Sequence, residues 1–220
     1  MLSSSLDRTR FVFLNALLIF VGLPAWAEPV TVAALGDSLT QGYGLLPEQG
    51  FVAQLQDYLD EDKLDVTLIN AGVSGDTTAG GLSRIDWTLT EDVDAVIVAL
   101  GANDMLRGLP PEQARANLDA ILTKIDARGL PALLVGIDAP PNYGADYEQA
   151  FEAMYPALAT QYDALYFPNF LQGLAELEDL ELVMREHMQG DRIHPNASGV
   201  TLIVDAMGPV VKELVARAQP

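Results

Sequence analysis

The run Asp94–Leu100 (DAVIVAL) constrains this chain more than any other stretch. Val96, Ile97 and Val98 are β-branched and favour an extended strand, and no polar residue interrupts the run on either face. A strand of that kind is buried on both sides, the condition of a parallel sheet covered by helices above and below. Four further runs have the same character: Val30–Leu35, Val66–Ile69, Ala132–Ile137 and Ala164–Phe167. Between them, apolar residues recur at helical spacing. Phe51, Val52, Leu55 and Leu59 predict a helix over about residues 49–60. Ala114, Leu118, Ile121, Leu122 and Ile125 form the inward face of a helix that starts at Pro111, where a missing N–H costs nothing. Tyr147, Ala150, Phe151, Met154 and Leu158 mark another. The last begins near Pro195, carries a stripe from Val200 to Val215, and is expected to kink at Gly208-Pro209. Strands alternating with helices imply right-handed βαβ units, hence an α/β fold: a three-layer α/β/α sandwich around a central parallel five-stranded sheet. Leu171–Gln189 is expected to be a loop with a short helix. Gly75–Gly81, with three glycines, is expected to be mobile and to close over a bound substrate.

In such a sheet the working residues gather beyond the carboxyl ends of the strands. Ser38 follows the first strand, Gly72 the second and Asn103 the third, so the fold brings all three to one edge. A serine hydroxyl needs a base to become a nucleophile. The chain has only two histidines, His187 and His194. His194 precedes Pro195, which keeps it out of helical geometry and places it on a restrained turn. Asp191 can fold back within that turn to accept the imidazole Nδ1–H, which fixes the tautomer and stabilises the imidazolium. His187 has no such context and is expected at the surface. Each residue also has a plainer role open to it. Asp37 and Ser38 would cap a helix, Gly72 would supply a positive φ, and Asn103 and Asp104 would form Asx-turns.

The segments GDSLTQGYG, NAGVSGDTTAGG, GANDMLRG and DRIHPNASG, in that order, resemble the four blocks of the GDSL (SGNH) hydrolase family. The likeness is nearest to its bacterial arylesterase/thioesterase/lysophospholipase subgroup and spans the chain after about residue 28. It implies a flavodoxin-like strand order. It also implies a Ser38–His194–Asp191 triad, with Asp191 and His194 being the Asp and His of DRIHP. The Ser38 N–H, the Gly72 N–H and the Asn103 side-chain amide look like the family's oxyanion donors. Asp37 and Asp104 are left to structural hydrogen bonding. Serine esterase chemistry on simple carboxylic esters follows, with acyl thioesters and lysophospholipids as extensions implied by the subgroup.

Other chemistries lack their signatures. No serine lies in G-x-S-x-G, and there is no P-loop, G-x-G-x-x-G or H-E-x-x-H. With no cysteine and two histidines, neither a catalytic metal nor a cofactor is expected. A formal net charge of −19 suits solubility and disfavours nucleic acid and anionic membrane surfaces as partners. At the start of the chain, Arg8 and Arg10 precede the apolar run Phe11–Leu23, and Ala25-Trp26-Ala27 has the A-x-A pattern of signal cleavage. Residues 1–27 are therefore expected to be a signal peptide cut after Ala27, and 28–220 a single domain in the periplasm or outside the cell. An uncleaved anchor is the competing reading of that segment. For function, the competitors are a carbohydrate or peptidoglycan O-acetyl esterase on the same fold and a non-catalytic binding module. Pocket residues decide between them. The candidates are Ser74–Gly80, Pro140-Pro141-Asn142-Tyr143-Gly144 and Leu182–Gly190; no aromatic sugar-stacking cluster is evident, although Trp87 and Tyr143 would contribute to one.

Overall fold

The computed structural model describes residues 29–139 and 141–219. The expected signal peptide lies outside the described residues. Five strands, β1 (Val30–Gly36), β2 (Val66–Gly72), β3 (Ala95–Ala99), β4 (Ala132–Val135) and β5 (Leu165–Phe167), form one sheet. Its order is β2-β1-β3-β4-β5 and every pairing is parallel. This is the flavodoxin-like order, with its switch point between β1 and β3.

The alternation of side chains along β1 and β3 explains the layers. Val32, Ala34, Ile97 and Ala99 face one apolar cluster, shared with Phe51, Val52, Leu55 and Leu59 of α2 (Phe51–Glu61) and with Val200, Ile203, Met207 and Val211 of α9 (Ala197–Ala218). Ala33, Leu35, Val96 and Val98 face the other, shared with Ile85 of α3 (Thr78–Thr88), Leu118 and Ile121 of α5 (Pro111–Asp126), and Phe151 and Tyr155 of α6 (Ala145–Gln161). The β-branched run read from the sequence is buried on both faces, as its composition requires.

Two expectations fare differently. Gly75–Gly81 does not form a free flap. Its second half is the first turn of α3, whose Thr77 cap accepts from the Gly80 N–H at 3.3 Å. Three glycines and a threonine pair depress helix propensity and hide the helix from a reading by periodicity. Gly81 packs close against the buried Leu100 side chain just past β3, which a Cβ there would have to displace. At the other end of the chain, α9 runs as one helix through Pro209. Gly208 beside that proline lets the ring of Tyr58 pack against the helix backbone.

Leu171–Gln189 contains more regular structure than a loop with one helix. It holds α7 (Gln172–Ala175), α8 (Leu180–Leu182) and a π-helical turn, Val183–His187. The short helix α1 (Ser38–Gln41) follows β1, and α4 (Ala102–Leu106) follows β3. No helix of the described residues is long and apolar enough to cross a membrane.

Candidate active site

Ser38 is the first residue of α1. Asp37 caps that helix, its Oδ1 accepting the Leu39 N–H at 3.0 Å. As the first residue of a helix, Ser38 has a backbone N–H with no intrahelical acceptor. Gly42 ends α1 with φ +85°, a left-handed turn that only a residue without a Cβ adopts freely. The turn sends the chain through Tyr43 along the rim.

His194 arrives from the loop before α9. Within it Asp191 Oδ1 accepts the backbone N–H groups of Ile193 and His194, both at 3.0 Å, and Arg192 sits at φ +61°. The turn brings Asp191 Oδ2 to 2.6 Å from His194 Nδ1, and His194 Nε2 lies 2.9 Å from Ser38 Oγ. With the proton on Nδ1, donated to Asp191, Nε2 is left to accept from the serine hydroxyl. Asp191 is held down to about 2, first by the His194 side-chain hydrogen bond and then by the two backbone donors, so it remains a carboxylate. Gln189 ties the loop to the rim. Its Nε2 donates to Tyr43 O at 2.7 Å and to Pro195 O at 2.9 Å, and its N–H donates to His194 O at 2.8 Å. The rings of Tyr43 and His194 pack at 4.7 Å between centroids, tilted by 41°.

Asn103 stands in the first turn of α4. Its Nδ2 donates to Asp37 Oδ2 at 3.2 Å, which leaves the second amide hydrogen for the cleft. Asp37 is 2 % exposed, and its carboxyl is pushed up to about 6, mainly by burial. The Leu39 and Asn103 donors oppose that shift. Asp104, also buried, accepts from Thr78 N–H at 2.7 Å and Thr78 Oγ1–H at 2.6 Å. It thereby locks α4 to the start of α3.

Gly72 is the sequence-selected residue that the structure does not bring into the cleft. Its N–H donates to Asn70 Oδ1 at 3.0 Å. A Cβ there would collide with the backbone of Gln41, so the glycine allows β2 to approach α1 rather than a substrate. Gly75 occupies the expected place instead. It lines the same cavity as Ser38, Asn103 and His194, and its N–H donates to no described group. Asp76 N–H donates to Val73 O at 3.1 Å, closing a four-residue turn with Gly75 at its third position and φ +82°. That position favours glycine. The sequence signal for it was the SGD triplet inside the second block; position after a strand pointed to Gly72.

The cavity measures about 300 Å³ and opens to solvent. Leu39, Met105, Leu106, Ile137, Leu171 and Ile193 give it an apolar wall. Leu182–Gly190 does not supply that wall. Met184 and Met188 line a separate surface groove with Arg185 and Arg192. Trp87, on α3, is exposed and absent from the cavity lining, and His187 pairs with Ser198 Oγ at 2.9 Å. Among the described residues no three His, Asp or Glu side chains converge to hold a metal ion.

Residues 34–202 match the GDSL-like Lipase/Acylhydrolase family. Over 207 residues the chain is 38% identical to esterase TesA of Pseudomonas aeruginosa, a match covering 94% of this chain and all of that protein. It is 36% identical to thioesterase 1/protease 1/lysophospholipase L1 of Escherichia coli K12 over 186 residues, 84% of this chain and 85% of that one. Among solved structures, AlinE4, a SGNH-hydrolase family esterase, superposes with a TM-score of 0.67 at 42% identity, covering 89% of this chain and 100% of its own.

Proposed function

Since the chain belongs to the GDSL-like lipase/acylhydrolase family and is a carboxylic ester hydrolase, we propose that it works through an acyl-enzyme on Ser38, with His194 as base and Asp191 as its partner. The observation that carries this reading is the unbroken line of contacts from Asp191 Oδ2 through His194 to Ser38 Oγ, at 2.6 and 2.9 Å. His194 Nε2 takes the serine proton as Oγ attacks the ester carbonyl, and the imidazolium that forms is stabilised by Asp191. The same proton then goes to the leaving alcohol or thiol. Water, activated by His194 in turn, releases the acid and regenerates Ser38.

Charge on the carbonyl oxygen is met by the Ser38 N–H, the Gly75 N–H and the free amide hydrogen of Asn103. Gly75 replaces Gly72 in this set because the Gly72 donor is engaged by Asn70. Donors fixed before the reaction cost no reorganisation as charge develops.

The apolar wall fits an acyl chain, so the substrates are aryl and short-to-medium acyl esters, with acyl thioesters and lysophospholipids as extensions. A sugar-stacking platform is not favoured, since among the described residues Tyr43 is the only Phe, Tyr or Trp lining the cavity and its ring already packs on His194. The protein acts outside the cytoplasm after cleavage at Ala27, without stable membrane insertion.

Ser38→Ala tests the scheme. Hydrolysis of p-nitrophenyl butyrate is expected to fall by on the order of 10⁶ in kcat with the circular dichroism unchanged. A folded variant keeping a tenth of the rate removes Ser38 from the mechanism. Wild-type activity on acetylated xylan far above that on p-nitrophenyl esters, acyl-CoA or lysophosphatidylcholine transfers the enzyme to the carbohydrate esterases.

A further inference from the structure

Arg84 lies on α3, away from the substrate cleft, yet its guanidinium reaches the ends of three segments that build the site. Nε donates to Asp76 Oδ2 at 2.7 Å, Nη1 to Ala71 O at 2.6 Å and Nη2 to Gly36 O at 2.8 Å. Gly36 carries the peptide carbonyl that joins β1 to Asp37, one residue before Ser38. Ala71 stands at the end of β2, and Asp76 directly follows Gly75. The Gly36 carbonyl also accepts the Val73 N–H at 3.0 Å, so the turn holding Gly75 and the strand end holding Ser38 meet at one oxygen. The side chain is mostly covered, 21% exposed.

We propose that Arg84 is the positioning residue of the oxyanion hole. Its three bonds set the Gly75 turn against the Ser38 strand end, so that two backbone N–H groups from different segments point at one oxygen. This deepens the serine-esterase reading and rests on it. The two donors belong to different segments. α1 is capped by Asp37 and the Gly75 turn is closed by Val73 and Asp76; the two are joined by the Val73 N–H on Gly36 O and by Ser74 Oγ–H on Gln41 Oε1 at 2.9 Å, and Arg84 clamps the first of these joints from the side by holding Gly36 O and Asp76 together. A planar cation with donors along two edges spans three acceptors at once, and the compact ammonium of lysine does not. Arg107 gives the turn a second brace by donating from Nη2 to Gly75 O at 2.8 Å, but it sits on the far side and does not touch the Ser38 strand end.

A residue that merely glued α3 to the sheet would, when removed, lower Tm and leave kcat at 25 °C unchanged. A positioning role predicts a different pattern, because a displacement of about 1 Å at a reacting centre costs on the order of 10²-fold. Arg84→Ala is expected to lower kcat for p-nitrophenyl butyrate by about tenfold to a hundredfold with KM within about twofold. Binding of a tetrahedral-forming butylboronic acid should weaken by the same factor. Arg84→Lys keeps the charge and a contact with Asp76, and so should recover most of the lost Tm while leaving kcat low. Added guanidinium ion should restore part of the alanine variant's rate. Wild-type kcat and boronate affinity in either folded variant overturn the proposal, as does full recovery of kcat by lysine. If the alanine variant does not fold, the lysine variant alone decides it by the same two readouts. Failure of Ser38→Ala to inactivate sinks the underlying serine-esterase reading instead.

Discussion

Asp37 lies beneath the cleft at the end of β1, while Asp191 lies at the surface on the loop before α9. They are the same side chain, each within one residue contact of a reacting group, and their environments push them in opposite directions. Burial raises Asp37 to about 6 although Leu39 and Asn103 donate to it. Three hydrogen bonds, the His194 ring first among them, pull the exposed Asp191 down to about 2. The nucleophile half of the site is therefore built into the sheet edge and holds a carboxylate where a charge is costly. The histidine half is built from local bonds at the surface, where water and donors keep a carboxylate ionised.

Asp191→Asn strikes the surface half and has the largest expected effect on this comparison. The amide favours the wrong imidazole tautomer, and kcat for p-nitrophenyl butyrate should fall by up to about 10⁴. A loss of less than tenfold means that the backbone turn alone orients His194.

Asp37→Asn strikes the buried half and separates stability from activity. Unfolded, Asp37 titrates near its ordinary 3.8, and folded near 6. Its folded pKa is raised, so the favourable contribution is present below about pH 4 and is lost as pH rises through 6. A shift of that size corresponds to about 3 kcal/mol at neutral pH. The asparagine variant, never charged, should therefore gain Tm at pH 8 and gain none at pH 4. Its kcat should drop about tenfold, because one neutral amide oxygen holds Leu39 and Asn103 less firmly than two carboxylate oxygens. The acid limb of the kcat/KM profile should also lose the ionisation of Asp37, near 6 in the wild type. Equal Tm changes at both pH values exclude a desolvated carboxylate at position 37.

His187→Ala is the smallest change. Its ring bonds Ser198 at the start of α9, not the serine nucleophile. Rates within about twofold of wild type are expected. An inactive folded His187→Ala beside an active His194→Ala reverses the choice of base.

The strands and the large helices were legible because their signals are local. β-branched runs and apolar residues at helical spacing carry the burial pattern in their own order, and five strands alternating with helices leave few topologies. Ser38 and Asn103 were legible as positions because each directly follows such a strand, and Asp191 and His194 because three residues in one turn bring them into reach. α3 was not legible, since Thr78-Ala79-Gly80-Gly81 has weak propensity and is helical for reasons outside itself: the Thr77 cap, Asp104 from α4, and Leu100 against Gly81. The choice between Gly72 and Gly75 had the same cause. Position after the second strand marked Gly72, and Gly75 stood only in a glycine-rich segment expected to be mobile. The contacts that separate them are made by side chains: Asn70 Oδ1 takes the Gly72 N–H, while Arg84 bonds Asp76 and Arg107 bonds Gly75 O in the turn that lines the cavity. Local order thus determined the elements and which residues stand at their ends. The direction in which those ends point was decided by long side chains reaching across elements, and such contacts leave no periodic trace in the chain.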